Sequence, residues 1–261
     1  MPSGSKAGLC VAALLATAPA WSAEVEAEEG ELAGYTEAVA FEEVLPEAAP
    51  EVALRLSVEA MRSAEPSVDA GPDRYLLPRM QLFYGITRRL GGEIEVPMVL
   101  RREGSDSAYG FGDLGAGLKL AVIQTDSAAL VLSGEVSIPT GDPERELGEG
   151  KGEFETGLGG VAVFHPFVLQ ARAGFMLTTA EIETAFFHAT SLGVEVVDER
   201  LVLYAEAMGE VSFGEEGTVL SAGPSAKLHL SSDTFVALGG QVGLTDEADQ
   251  YRLIAQVQHE F

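Results

Sequence analysis

The chain has 261 residues, 46% of them hydrophobic, and sets 41 acidic side chains against 16 basic ones for a formal charge of −25 and a pI near 4.3. A positive mean hydropathy of +0.15 and 30 glycines exclude a disordered acidic chain, and the charge argues against nucleic acid as a partner. The length admits one large or two small domains, and a single all-β barrel of this size is ordinary.

Residues 1–22 read as a secretory signal peptide. Lys6 and the amino terminus precede the apolar run AGLCVAALLA, and TAPAWSAE supplies small residues for cleavage after Ala20 or Ser22. Cys10 is the only cysteine and lies in that leader, so the mature chain forms no disulfide. Beyond it no apolar run approaches the eighteen or so residues a spanning helix needs, so an exported chain that enters a membrane does so as strands. Residues 23–50 form an acidic segment; from Glu24 to Pro50 it holds nine Glu and no Lys or Arg. Such a segment is solvated and flexible by default, and the alternative is a plug folded back through Tyr35, Val39 and Phe41.

From Glu51 to Phe261 period-two alternation recurs between turn signals. It marks strands at 51–62, 75–87, 93–102, 111–123, 128–139, 154–164, 167–177, 185–197, 201–211, 218–230, 234–244 and 250–261, twelve in all. In LVLYAEAMGEV, Leu201, Leu203, Ala205 and Ala207 alternate with Tyr204, Glu206, Met208 and Glu210. Short connections (TRRLGG, QTDS, HP, DER, SSD) alternate with longer polar ones (SAEPSVDAGPDR, REGSDSAYG, GDPERELGEGKGE). That rhythm describes an all-β, up-and-down antiparallel barrel of even strand number, with both ends on the short-turn rim.

Three features place the barrel in a membrane. The strands are long enough to cross a bilayer at a tilt, and the polar set is rich in Gly, Ser and Ala, suiting a crowded lumen. Aromatics of the apolar set sit at strand ends: Tyr84, Phe164, Phe167 and Phe261 toward the short turns, Phe154, Phe175, Phe186 and Tyr251 toward the long loops. In lipid every backbone group needs an internal partner, so the last strand closes on EVALRLSVEAM. The terminal alternation of Tyr251, Leu253, Ala255, Val257, His259 and Phe261 resembles the carboxy-terminal signature that the outer-membrane assembly machinery reads, with His259 departing from the aromatic usual there.

GFGDLGAGLKLAV at 110–122 and VSIPTGDPERELGEGKGEFETGLGGVAV at 136–163 resemble the MetA-pathway phenol-degradation transporter family, in a Gly-x-Gly-Asp strand opening and a Pro-Thr-Gly-Asp loop running into a Gly-rich strand. The resemblance extends in layout over roughly residues 75–261, and only these two stretches are specific. It implies an outer-membrane barrel that moves small, including aromatic, compounds, and it supplies no catalytic residues to carry over; the expectation is a non-enzymatic protein without cofactor in the outer membrane of a Gram-negative bacterium. The partners expected are outer-membrane lipid and lipopolysaccharide, the assembly machinery through the strand ending in Phe261, and a small solute.

Alternation sends Arg55, Arg79, Arg101, Asp113, Lys119, Glu135, Arg172, Glu206, Lys227 and Arg252 to the lumen. Strand pairing about the turns places Arg79, Arg101 and Asp113 at one height near the longer-loop rim, a cluster that binds an anionic group or narrows the pore. The competing expectation is that these charges pair to fill and stiffen a narrow barrel. Either lumen suits polar solutes better than hydrocarbon.

The function expected is passive uptake or efflux of small molecules through a channel. The alternatives are a lipid-acting barrel enzyme and a structural or adhesive surface barrel. The strongest enzyme motif is FHATS, where His188 and Thr190 share the apolar face as a base and hydroxyl do in outer-membrane phospholipase; the third partner there is Asn, which this chain lacks altogether. Asp142, Glu144, Glu146 and Glu149 offer oxygen ligands in one loop, at a spacing that fits no closed calcium loop.

Overall fold

The computed structural model describes residues 51–67, 71–103, 106–179, 184–197, 200–213 and 217–261. The signal peptide and the acidic segment expected at 1–22 and 23–50 lie outside these residues.

The described chain is almost entirely strand: β1 (Val52–Ser67), β2 (Gly71–Thr87), β3 (Leu90–Glu103), β4 (Asp106–Phe111), β5 (Leu114–Gln124), β6 (Ala128–Ile138), β7 (Glu153–Phe164), β8 (Phe167–Thr178), β9 (Thr184–Val197), β10 (Leu201–Ser212), β11 (Thr218–Ser231), β12 (Thr234–Gly243) and β13 (Tyr251–Glu260). Each pairs antiparallel with its neighbour, and β1 pairs with both β2 and β13, while β2 also pairs with β3. The sheet is therefore a closed cylinder. Because β4 and β5 both run along β3, the thirteen segments make twelve staves.

The fourth stave is interrupted where a single strand at 111–123 was expected. Gly112 keeps the β4 register by donating its N–H to the Pro97 carbonyl at 3.0 Å, and β5 then resumes with Gly115 opposite Glu95. The stagger changes by one residue across Gly112 and Asp113, as a bulge does. The first hairpin is also longer than expected: β1 and β2 continue pairing through Pro66 with Pro72 and Ser67 with Gly71. A stretch rich in turn formers is held extended by its partner strand.

Closure is complete in register. Ala53 pairs with Glu260 and the ladder continues to Arg62 with Tyr251. The Phe261 N–H adds a bond to the Val52 carbonyl at 2.9 Å. Spanning staves of 10 to 17 residues, at about 3.3 Å per residue, cross a hydrocarbon core of about 30 Å at a tilt.

The radial order is the inverse of a soluble protein. Leu56, Leu82, Ile94, Leu118, Leu158 and Leu253 face outward and are 44–55% exposed, whereas Arg55, Gln81, Gln170, Lys227 and Gln258 are buried. A continuous apolar exterior of this extent is tolerable only against lipid. Aromatics cluster at both rims of the outer face. Phe164 and Phe167 meet at the short-turn rim with centroids 5.8 Å apart, and Phe175 and Phe186 meet edge-on at 5.6 Å toward the long loops.

Candidate functional site: the barrel interior

Inward-facing side chains divide the interior into two halves. Toward the short turns, the wall of β5 to β10 carries small apolar residues, among them Ala121, Val131, Val161, Val168 and Val202, none more than 3% exposed. Tyr204 joins them. Its ring lies across Gly193 on the neighbouring strand, where any side chain carbon would fall 2.5 Å from the ring.

Beside this patch the interior at this level is cationic and aromatic. Arg55 Nε donates to Gln258 Oε1 at 2.9 Å, and its guanidinium lies 4.8 Å from the centre of the Phe83 ring. Lys119 lies 5.5 Å from the same ring and donates to Glu93 at 2.8 Å. Lys227, 1% exposed, sits 4.1 Å over the Phe235 ring. A desolvated cation over an aromatic face gains about 2 kcal/mol, which offsets part of its removal from water.

Toward the long loops the charges form linked networks. Glu59 accepts from Arg79 at 2.9 Å and faces Arg252 at 2.9 Å, and Arg79 reaches Glu95 at 3.8 Å. Gln81 extends the chain by donating to Glu95 at 2.9 Å. Arg172 pairs with Glu155 and lies 5.0 Å over Phe187. Glu135 stands directly opposite Glu155 in the β6–β7 ladder. Glu206 accepts from Ser225, and the Gln241 amide lies 3.5 Å from it.

The cluster expected from Arg79, Arg101 and Asp113 does not form. Arg79 stands opposite Pro97, whereas Arg101 lies four residues further along β3 and pairs with Glu146 at 2.7 Å. Asp113 instead accepts from two backbone N–H groups, of Gly141 and Glu149, both at 2.8 Å. The β2–β3 register, not visible in the turn spacing, separates Arg79 from Arg101, and the loop backbone takes up the Asp113 carboxylate.

His188 and Thr190 lie on the outward row, with the His188 ring stacked on Phe186 at 6.2 Å between centroids. In the acidic loop, Asp142 accepts from the Glu144 N–H at 3.1 Å, Glu146 meets Arg101 and Glu149 approaches Lys151 at 3.9 Å. Among the described residues no group of three or more His, Cys, Asp and Glu is arranged to hold a metal. The sequence reading omitted the inward aromatics Phe83, Phe187 and Phe235, although Phe83 shares the parity of Arg79 and Gln81 and was accessible by counting.

Closed, apolar outside and charged within, the fold is that of an outer-membrane β-barrel. The sequence profile of the family described as "Putative MetA-pathway of phenol degradation" matches residues 26–261, and the chain belongs to that family. No curated protein matches it by sequence. Among solved structures it is similar to an outer membrane channel from Pseudomonas putida F1, at 12% identity and a TM-score of 0.65, covering 84% of this chain and 98% of that one. The NanC porin superimposes with a TM-score of 0.56 at 6% identity, covering 78% of this chain and 98% of the porin. The KdgM porin does so at 0.53 and 10%, covering 80% and 99%.

Proposed function

We propose that the protein is a passive outer-membrane channel for small molecules, with the polar interior as the route. The observation that carries this reading is a closed barrel whose inward rows hold interspersed cations and carboxylates while its outward rows hold almost none. Membership of the family and a fold shared with a channel and two porins support it. The packed short-turn half sets the size limit: with Arg55, Gln170, Ser191, Lys227 and Gln258 no more than 2% exposed, only small solutes pass, and they do so by displacing side chains.

In this reading residues 1–22 direct export and the outward rows meet lipid and lipopolysaccharide in the outer membrane of a Gram-negative cell, with the long loops outside. The strand ending at Phe261, whose ring is 74% exposed and 4.6 Å from that of His259, presents the face that the assembly machinery engages. Swelling of protein-loaded liposomes in isosmotic glycine, arabinose and raffinose tests the route. Entry of glycine, falling steeply with solute size, is the expected result; liposomes that behave as protein-free ones contradict it.

A further inference from the structure

We propose that the β6–β7 loop, residues 139–152, is folded into the mouth of the barrel as its constriction, and that Asp113 is the latch that holds it there. The inference rests on the channel reading above and adds to it the element that governs access.

Three independent sets of contacts fix the loop. In β4, Ala108 is 9% exposed while Tyr109 and Phe111 are 72% and 64% exposed, so alternation turns Ala108, Gly110 and Gly112 toward the interior. Leu147 packs on that inner face and is 4% exposed; a carbon added at Gly110 would lie 2.8 Å from its Cδ1. An apolar side chain from a loop thus occupies the interior side of the wall, not the lipid side. Next, the two Asp113 carboxylate oxygens accept from the Gly141 and Glu149 N–H groups, which are the two ends of the inward segment. Thr140 adds a bridge, donating to the Gly112 carbonyl at 3.0 Å and accepting from the Leu114 N–H at 3.1 Å. Finally, Arg101, an inward residue of β3, meets Glu146 at 2.7 Å.

The loop's own conformation suits this position. Asp142 caps a single 3-10 turn at Pro143–Arg145, and Glu146 follows in the left-handed region with φ of 54°. A non-glycine residue held there is strained, and its carboxylate is thereby aimed at Arg101. The strand interruption acquires a purpose: the break at Gly112 and Asp113 frees one carboxylate from the alternating ladder to bind loop backbone.

The test uses the full chain carrying Cys10→Ser and Leu147→Cys, reconstituted in lipid vesicles and exposed to a membrane-impermeant maleimide. Two further variants are compared on that background: Asp113→Ala, and Thr140→Val, which leaves the charge unchanged. Each hydrogen bond to a charged group corresponds to roughly ten-fold or more in a local opening equilibrium. Labelling at position 147 should therefore rise at least about ten-fold in Asp113→Ala and by a smaller factor in Thr140→Val. Unitary conductance, measured on the same substitutions with Leu147 in place, should rise with labelling.

Unchanged labelling in both variants overturns the latch whether or not the protein conducts. Should labelling rise while a conducting parent and Asp113→Ala carry equal currents, the loop is latched but is not the constriction. A parent that labels as expected and never conducts overturns the channel reading, and the constriction with it, leaving the latch established. If Asp113→Ala fails to fold, Thr140→Val decides the latch alone.

Discussion

Arg252 Nε lies 2.9 Å from Glu59 Oε1, and this pair joins the last strand of the barrel to the first. Those two strands have no connecting turn, so their pairing rests on the backbone ladder and on what the side chains add. Glu59 also receives Arg79 from β2 at 2.9 Å with its side chain only 7% exposed. A single carboxylate therefore links β13, β1 and β2.

Glu59→Ala should destabilise the barrel by about 3 kcal/mol or more, because it leaves two guanidinium groups without their shared buried carboxylate. Urea unfolding from lipid vesicles, followed by circular dichroism, measures this. A loss below about 1 kcal/mol shows that the seam depends on the ladder alone.

Asp249, in the loop that precedes β13, has its pKa raised chiefly by burial, with the nearby Glu59 charge adding to the rise and Arg252 opposing it. A folded-state pKa above the unfolded value means the folded protein holds this proton more tightly. The corresponding stabilisation is present at acid pH and is lost as pH rises through the raised pKa. Relative to Asp249→Asn, the parent should thus lose stability on going from acid to neutral pH. Unfolding midpoints of the two proteins that run parallel across that window would contradict the assignment.

Gly223 and Gly134 should differ in their tolerance of alanine. A side chain carbon at Gly223 would fall 1.8 Å from the Gly240 carbonyl oxygen, a backbone atom of the next strand, while at Gly134 the nearest atom is 3.9 Å away. Gly223→Ala should cost about 2 kcal/mol or more through forced separation of β11 and β12, and Gly134→Ala should stay within about 0.5 kcal/mol. The heat-dependent gel mobility of the folded barrels and their urea midpoints separate the two outcomes.

His188→Ala should leave any lipid-hydrolysing activity of the preparation unchanged, because His188 stacks on Phe186 on the outward row. Phospholipase assays on the parent and variant check this, and a loss of turnover confined to the variant would revive the enzyme alternative.

Parity made much of the fold readable. Tyr204 and Glu206 alternate with Leu203 and Ala205, and their burial follows that order: 3% and 5% for the first pair, 46% for Leu203. The strand break at Gly112 was not readable, since Gly and Asp fit an alternating strand as well as a bulge. The groups that bind the Asp113 carboxylate beside it lie 28 and 36 residues from Asp113, in the N–H groups of Gly141 and Glu149. The ion-pair partners were hidden for a related reason. Alternation assigns a face, but which charges meet depends on stagger between staves, and the β2–β3 register sets Arg79 opposite Pro97, four residues from Arg101. The turn formers of residues 63–74 predict a loop, and the hairpin pairing of Pro66 with Pro72 overrides that local preference.

The most direct test of the central claim is the unitary current of the purified, folded protein in a planar bilayer under a salt gradient, compared with Arg79→Gln/Arg101→Gln. Removing these cations leaves Glu59, Glu95 and Glu146 less compensated along the route. The account predicts discrete channel openings for both proteins, with the reversal potential of the folded double variant displaced toward cation selectivity. A folded parent that remains electrically silent, or a conducting pair with identical reversal potentials, would contradict the claim that solutes pass through this charged interior.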